Sequence, residues 1–228
     1  MSKSLGNVFT IHEMLARYHA EVIRLFMLQS HYRSAVDFSE ESLAEARQGM
    51  DRFYTTLKSI RDILTSSAGD ASPISPESLT GKTAELYTVV QGLPDRFAEA
   101  MDDDLNTARA IGYLFDAARQ VNGFLSDAKA AKSDEGRKVL ALAEKHIKDS
   151  GYVLGLFQEE PDAYFIQDRE RETRNRGIDP VEIERLIAER WTARAEKNWQ
   201  RADEIRQLLA EKGIALKDTP TGTTWKVA

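Results

Sequence analysis

Apolar residues recur at steps of three and four through most of this chain. After Ser39, Leu43, Met50, Leu57 and Leu64 interleave with Ala46, Phe53 and Ile60, which predicts one long helix with a single buried seam, suited to a bundle or an antiparallel pair. Ahead of it, Thr10 and Glu13 fit a reciprocal capping box, so a short helix should begin there. A second helix, about Ala20 to His31, should turn Val22, Phe26 and either Leu25 or Leu28 inward. Downstream the period resumes through Leu86, Val89, Val90, Leu93, Phe97 and Met101, with a break forced at Pro94. Asn106 or Thr107 can cap a further helix carrying Ile111, Leu114, Phe115, Val121 and Leu125. Another is expected from Glu135 to Asp149, closed by Gly151. The small, polar, proline-bearing stretch from Thr65 to Gly81 reads as a mobile connection between helices.

The pattern then changes. Residues 158–178 are charged and weakly periodic and read as a linker. Asp179-Pro180 supplies a cap and a first-turn proline ahead of Ile183, Leu186 and Ile187; Asn198 caps the next helix, which Gly213 ends. Ile214–Lys217 and Thr223–Val227 alternate around Asp218-Thr219-Pro220-Thr221-Gly222, as two short strands across a turn. The expected fold is mainly α: a loop and short helices over 1–38, a helical bundle over 39–157, a linker over 158–178, and a small α+β module with a short β-hairpin over 179–228.

Composition narrows the function classes. The 228 residues are 42% hydrophobic, enough for filled cores, and no run approaches the roughly 18 apolar residues of a membrane span. With no secretion signal either, a cytoplasmic protein is expected. Absence of cysteine excludes disulfides, thiolate metal sites and thiol nucleophiles, and the four histidines do not cluster, so no metal site and no catalysis by a self-contained metal centre is expected. The net charge of −6 argues against a nucleic-acid binder as an average over the chain. From Asp168 onward, however, 13 lysines and arginines stand against 12 acidic residues, so any RNA contact is sought in that last quarter first.

Three constellations could carry chemistry. Met1-Ser2-Lys3-Ser4-Leu5-Gly6-Asn7 joins a point charge to two hydroxyls, a combination suited to a polyphosphate; read alone, such a run is more often a solvated terminus than a site. Trp199, Asp203 and Arg206 share one side of a helix, so a ring and a carboxylate could serve an unpaired base. Tryptophan stacks on any base, whereas a carboxylate accepts from the two pairing-edge donors of guanine. The plainer alternative packs Trp199 in the core and pairs Asp203 with Arg206. Arg194 and Lys197 precede this helix, and Asp218 opens the terminal turn. Asp102-Asp103-Asp104 offers hard oxygen ligands, but neighbours on a helix point apart, so a charged run leading into the next cap is preferred.

Four segments taken in order resemble the cysteinyl-tRNA synthetase family of class I aminoacyl-tRNA synthetases. They are Met1–Asn7, Leu28-Gln29-Ser30-His31-Tyr32-Arg33-Ser34, Ala100-Met101-Asp102-Asp103-Asp104-Leu105-Asn106-Thr107, and Gly213 to Trp225. The first is similar to the end of the family's Lys-Met-Ser-Lys-Ser loop, without its first lysine. The resemblance implies an enzyme that activates cysteine with ATP and magnesium and passes it to its tRNA, with Ser2, Lys3 and Ser4 on the ATP phosphates. It implies that Arg194, Trp199, Asp203 and Asp218 contact the anticodon, of sequence GCA, with Trp199 stacking and the aspartates reading guanine. It further implies a preceding catalytic half that carries the ATP motif and the zinc ligands, so the partners expected are that half and the cysteine tRNA. This chain by itself is expected to be inactive and to hold no catalytic residue.

Two alternatives share some of these features. A related ligase joining cysteine to an amino sugar resembles the synthetase around the signature loop but needs no tRNA, so an intact module over Asp179–Trp225 favours the synthetase. A free-standing RNA-binding or scaffold protein is the other.

Overall fold

The computed structural model describes residues 10–66, 73–219 and 222–227. Ser2, Lys3 and Ser4, and the hairpin residues Pro220 and Thr221, lie outside the described residues. The described residues divide into two compact units, one formed by those of 20–164 and the other by those of 10–19 together with 165–227.

The larger unit is a helical bundle. It comprises α2 (Ala20–Leu28), α3 (Glu40–Thr65), α4 (Gly81–Gln91), α5 (Leu93–Asp102), α6 (Thr107–Leu125), α7 (Ala128–Ala131) and α8 (Asp134–Val153), with a 3-10 turn at Pro76–Ser78. Ser39 caps α3 by accepting from the Ser42 amide at 3.1 Å, and Asn106 caps α6 by accepting from Arg109 at 3.1 Å. Each cap satisfies a backbone donor that the helix leaves open and is worth about 1 kcal/mol. The seam predicted for α3 is buried from Leu43 to Ile60, while Leu64 is only half-buried. On α2, Leu25 rather than Leu28 completes the inward face. α3 packs on α2, α6 and α8, and α4 packs on α6 and α8, so the seam is shared among several neighbours. Phe53 and Phe115 stack at 4.3 Å between α3 and α6.

A buried carboxylate organises one end of this bundle. Glu21, 2% exposed, accepts from the Tyr54 hydroxyl at 2.9 Å and from the amides of Phe157 and Gln158 at 2.8 and 2.9 Å. The chain after α8 is thereby tied to α2 and α3. Gly151 does not end α8 as expected. It lies inside the helix, where a Cβ would stand 2.2 Å from the Phe157 ring, so the glycine serves a close approach rather than a stop.

The segment 158–178, expected as a linker with weak periodicity, carries α9 (Pro161–Asn175). A first-turn proline followed by Asp162 is a helix start, and Tyr164, fully buried and stacked on Tyr54 at 4.0 Å, anchors it. Its weak amphipathic pattern hid this, since few apolar residues are needed where one ring does the anchoring.

In the smaller unit, α1 (Ile11–Arg17) starts on the predicted capping box: the Glu13 amide donates to Thr10 at 3.2 Å and the Thr10 amide to Glu13 at 2.7 Å. The module comprises α10 (Pro180–Ala195), α11 (Trp199–Glu211), β1 (Ile214–Thr219) and β2 (Gly222–Val227). Ile183, Leu186, Ile187, Ile205, Leu209, Ile214 and Trp225 form its core. The strands are antiparallel, with Leu216 opposite Trp225 and Asp218 opposite Thr223, so they run further toward the turn than the sequence pattern suggested. Among the described residues no helix is long and apolar enough to cross a membrane.

Candidate RNA-recognition site

Strand alternation decides where Asp218 points. Because Ile214 and Trp225 face the helices, the cross-strand pair Asp218 and Thr223, on the same side of the ribbon, does so too. Opposite them, at an inward position of α10 continuous with Ile183, Leu186 and Ile187, stands Arg190, 8% exposed. Arg190 donates to both Asp218 oxygens, at 2.9 and 3.0 Å. Arg194, one turn further on, donates to Oδ2 at 2.8 Å, and the Thr223 hydroxyl donates to Oδ1 at 2.7 Å. The Arg190 and Thr223 bonds, with the nearby positive charges, hold the Asp218 carboxyl well below the ordinary carboxylate range. Arg190 is correspondingly raised, chiefly by its bond to Asp218.

Four donors occupy the four acceptor directions of a carboxylate. Asp218 thus anchors Arg194, whose guanidinium keeps donors to offer and whose side chain is 41% exposed.

Asp179 caps α10 by accepting from Val181 at 2.9 Å. At its other end, Lys197 adopts a left-handed φ of 60°, and Asn198 then caps α11 by accepting from Arg201 at 3.2 Å. This turn puts Trp199 at the very start of α11, 59% exposed. Packing in the core is therefore not its role; Trp225 fills that place, 7% exposed, with its indole N–H donating to Glu184 at 2.7 Å. Nor does Asp203 pair with Arg206: among the described residues no hydrogen bond or ion pair reaches Asp203, although its charge helps raise Arg190. Trp199 and Asp203 share a face one turn apart, and Asp203 is near enough to Arg190 for its charge to act on that guanidinium. The result is an exposed ring, an unengaged acceptor and an anchored guanidinium at one end of the module.

Arg190 and Thr223 escaped sequence reasoning. An arginine at an inward helix position was the available signal, because a buried guanidinium demands a partner.

The larger unit brings together two of the motifs singled out in sequence. Asp104 accepts from the Tyr32 hydroxyl at 2.8 Å and from Arg33 at 3.2 Å, with His31 at 3.8 Å. The Thr107 hydroxyl donates to the Leu28 carbonyl at 2.8 Å. Asp104 and Leu105 both take left-handed φ values, 54° and 53°, in the turn that aims the carboxylate at this cluster. Asp103 instead faces Arg109 at 3.6 Å, so the aspartate run is split between two cationic neighbours. Among the described residues no group of three His, Cys, Asp or Glu side chains could hold a metal ion.

Comparison with known proteins matches these regions separately. Residues 1–48 match the family model described as tRNA synthetases class I (C) catalytic domain, and residues 96–158 match the DALR domain. Residues 180–225, which hold Arg190, Arg194, Trp199, Asp203 and Asp218, match the cysteinyl-tRNA ligase anticodon binding domain. The chain is thus of the class I aminoacyl-tRNA synthetase type. Relatives named cysteine–tRNA ligase from Geobacter metallireducens and Geobacter sulfurreducens are each 48% identical over 227 residues, and one from Syntrophobacter fumaroxidans is 40% identical over 228. All of this chain is covered, but it spans only 45%, 44% and 46% of those proteins. The chain belongs to the cysteinyl-tRNA synthetase family.

Proposed function

We propose that this chain supplies the tRNA-recognition part of a cysteine–tRNA ligase. The observation that carries the reading is the coincidence of the anticodon-binding match over 180–225 with an exposed Trp199, an unengaged Asp203 and an anchored Arg194 at one end of that module. A base stacked on Trp199 presents its pairing edge toward Asp203, whose oxygens accept from the two donors of guanine. Arg194, held by Asp218, offers its remaining donors to phosphate or base. Asp218 acts through Arg194.

The whole enzyme would join cysteine to ATP, releasing pyrophosphate, and pass the cysteinyl group from the adenylate to the 3′ end of the cysteine tRNA. Magnesium would accompany ATP, and zinc would sit in the catalytic part. Lys3, with Ser2 and Ser4, would meet the charge that develops on the leaving phosphates. The cytoplasm, where translation takes place, is the compartment proposed.

The test is binding of a cysteine-tRNA anticodon stem-loop and its guanine-to-adenine variant at one fixed salt concentration. Trp199→Ala should weaken both RNAs by about 1–3 kcal/mol. Asp203→Ala should weaken only the guanine loop and so erase the preference for it. Equal loss for both loops with Asp203→Ala would sink the reading of Asp203, and absence of any preference in the unaltered chain would sink the function.

A further inference from the structure

We propose that Trp191 is a second base-stacking platform on this face, taking an unpaired base of the anticodon loop other than the one on Trp199. The inference rests on the assignment of the module to anticodon recognition and extends it.

Three tryptophans occur in the chain, all in the module. Trp225 belongs to the core, whereas Trp191 and Trp199 are 52% and 59% exposed. The core is closed without them by Ile183, Leu186, Ile187, Ile205 and Leu209. Among the described residues no ring or cation stacks on either indole. A tryptophan is ordinarily among the most covered side chains, so two bare rings on so small a module are informative.

Position specifies the occupant. Trp191 sits three residues before Arg194 on α10, so the two are neighbours on the helix surface, and the Asp218 contact fixes Arg194 in place. The turn between α10 and α11 separates Trp191 from Trp199, and Lys197 stands in it; Arg206 lies two turns along α11 on the Trp199 side. Lys197 and Arg206 make no ion pair among the described residues. Flat apolar faces interspersed with unpaired cations are what a single strand of RNA requires, since bases stack while phosphates meet the charges between them.

The full chain would be titrated with the cysteine-tRNA anticodon stem-loop and with versions carrying an abasic site at each loop position in turn. Trp191→Ala should weaken the intact loop about five- to a hundredfold. Trp191→Phe should recover most of that loss, and thermal unfolding should match the parent because the ring supports no core. One abasic position should abolish the effect of Trp191→Ala, and a different one should abolish that of Trp199→Ala. Unchanged affinity in Trp191→Ala, loss persisting at every abasic position, or coupling to the same position as Trp199 would each overturn the proposal. If Trp199→Ala weakens binding and Trp191→Ala does not, only this inference falls. If the unaltered chain does not prefer its stem-loop to an unrelated hairpin, the anticodon reading falls and this one with it.

Discussion

Arg190 grips Asp218 through two parallel hydrogen bonds of 2.9 and 3.0 Å, from a side chain that the helix pattern places among aliphatic residues. This fork ties α10 to β1 at the end of the module where Arg194 and Trp199 emerge. It converts an inward-facing pair of charges into a platform for outward-facing ones.

Replacing Arg190 with Met should destabilise the module, because Asp218 loses its main partner while staying partly covered. Asp218 is 44% exposed, so water offsets much of the loss, and about 1–2 kcal/mol is expected. Arg190→Lys should restore little, since an ammonium cannot supply the parallel pair. Chemical unfolding followed by Trp225 fluorescence measures both.

The same pair sets an acid response. The Asp218 pKa is lowered in the fold, so its contribution is complete above the ordinary carboxylate value and disappears as pH falls through the folded value. Stability of the module should therefore decline below about pH 4. Unfolding curves measured from neutral pH downward should show a shallower decline for Asp218→Asn than for the parent; parallel curves would separate the acid response from this residue.

Glu21→Gln should be the most damaging single-atom change in the bundle. An amide places an N–H₂ among donors that include the Phe157 and Gln158 amides and the Tyr54 hydroxyl, leaving buried groups unpaired. The expected loss is about 2–4 kcal/mol, against about 1–2 kcal/mol for Tyr54→Phe, which removes one donor to the carboxylate and the acceptor of the Glu159 amide but leaves Glu21 its two backbone donors. Thermal melts of the two variants should keep that order.

Gly151→Ala tests the opposite expectation from helix propensity. Alanine is favoured over glycine inside a helix by about 1 kcal/mol. Here the added methyl would meet the Phe157 ring, so a net loss of about 1–3 kcal/mol is expected by calorimetry. A stabilised variant would show that Phe157 can move aside.

Much of the fold follows from local physics. The period of three and four along α3 identified its buried seam, and the caps at Thr10, Ser39, Asn106, Asp179 and Asn198 each hold a helix start as their chemistry dictates. α9 was missed because a single buried tyrosine, rather than a stripe, secures it. Gly151 was misjudged because a glycine that ends a helix and one that admits a ring look alike in sequence.

The candidate site was legible as residue types and not as relationships. Sequence alone determined that Trp199 and Asp203 share a helix face, because 3.6 residues per turn is a property of the helix itself. It also determined that two short strands flank a turn, but it placed Asp218 in that turn, whereas the ladder extends far enough to set Asp218 opposite Thr223. Only the tertiary structure decided that Arg190 occupies Asp218, that Trp225 rather than Trp199 fills the core, and that Asp104 meets Tyr32 across 72 residues of chain. Those outcomes depend on which distant faces compete for the same buried space, and periodicity reports a face without naming its partner.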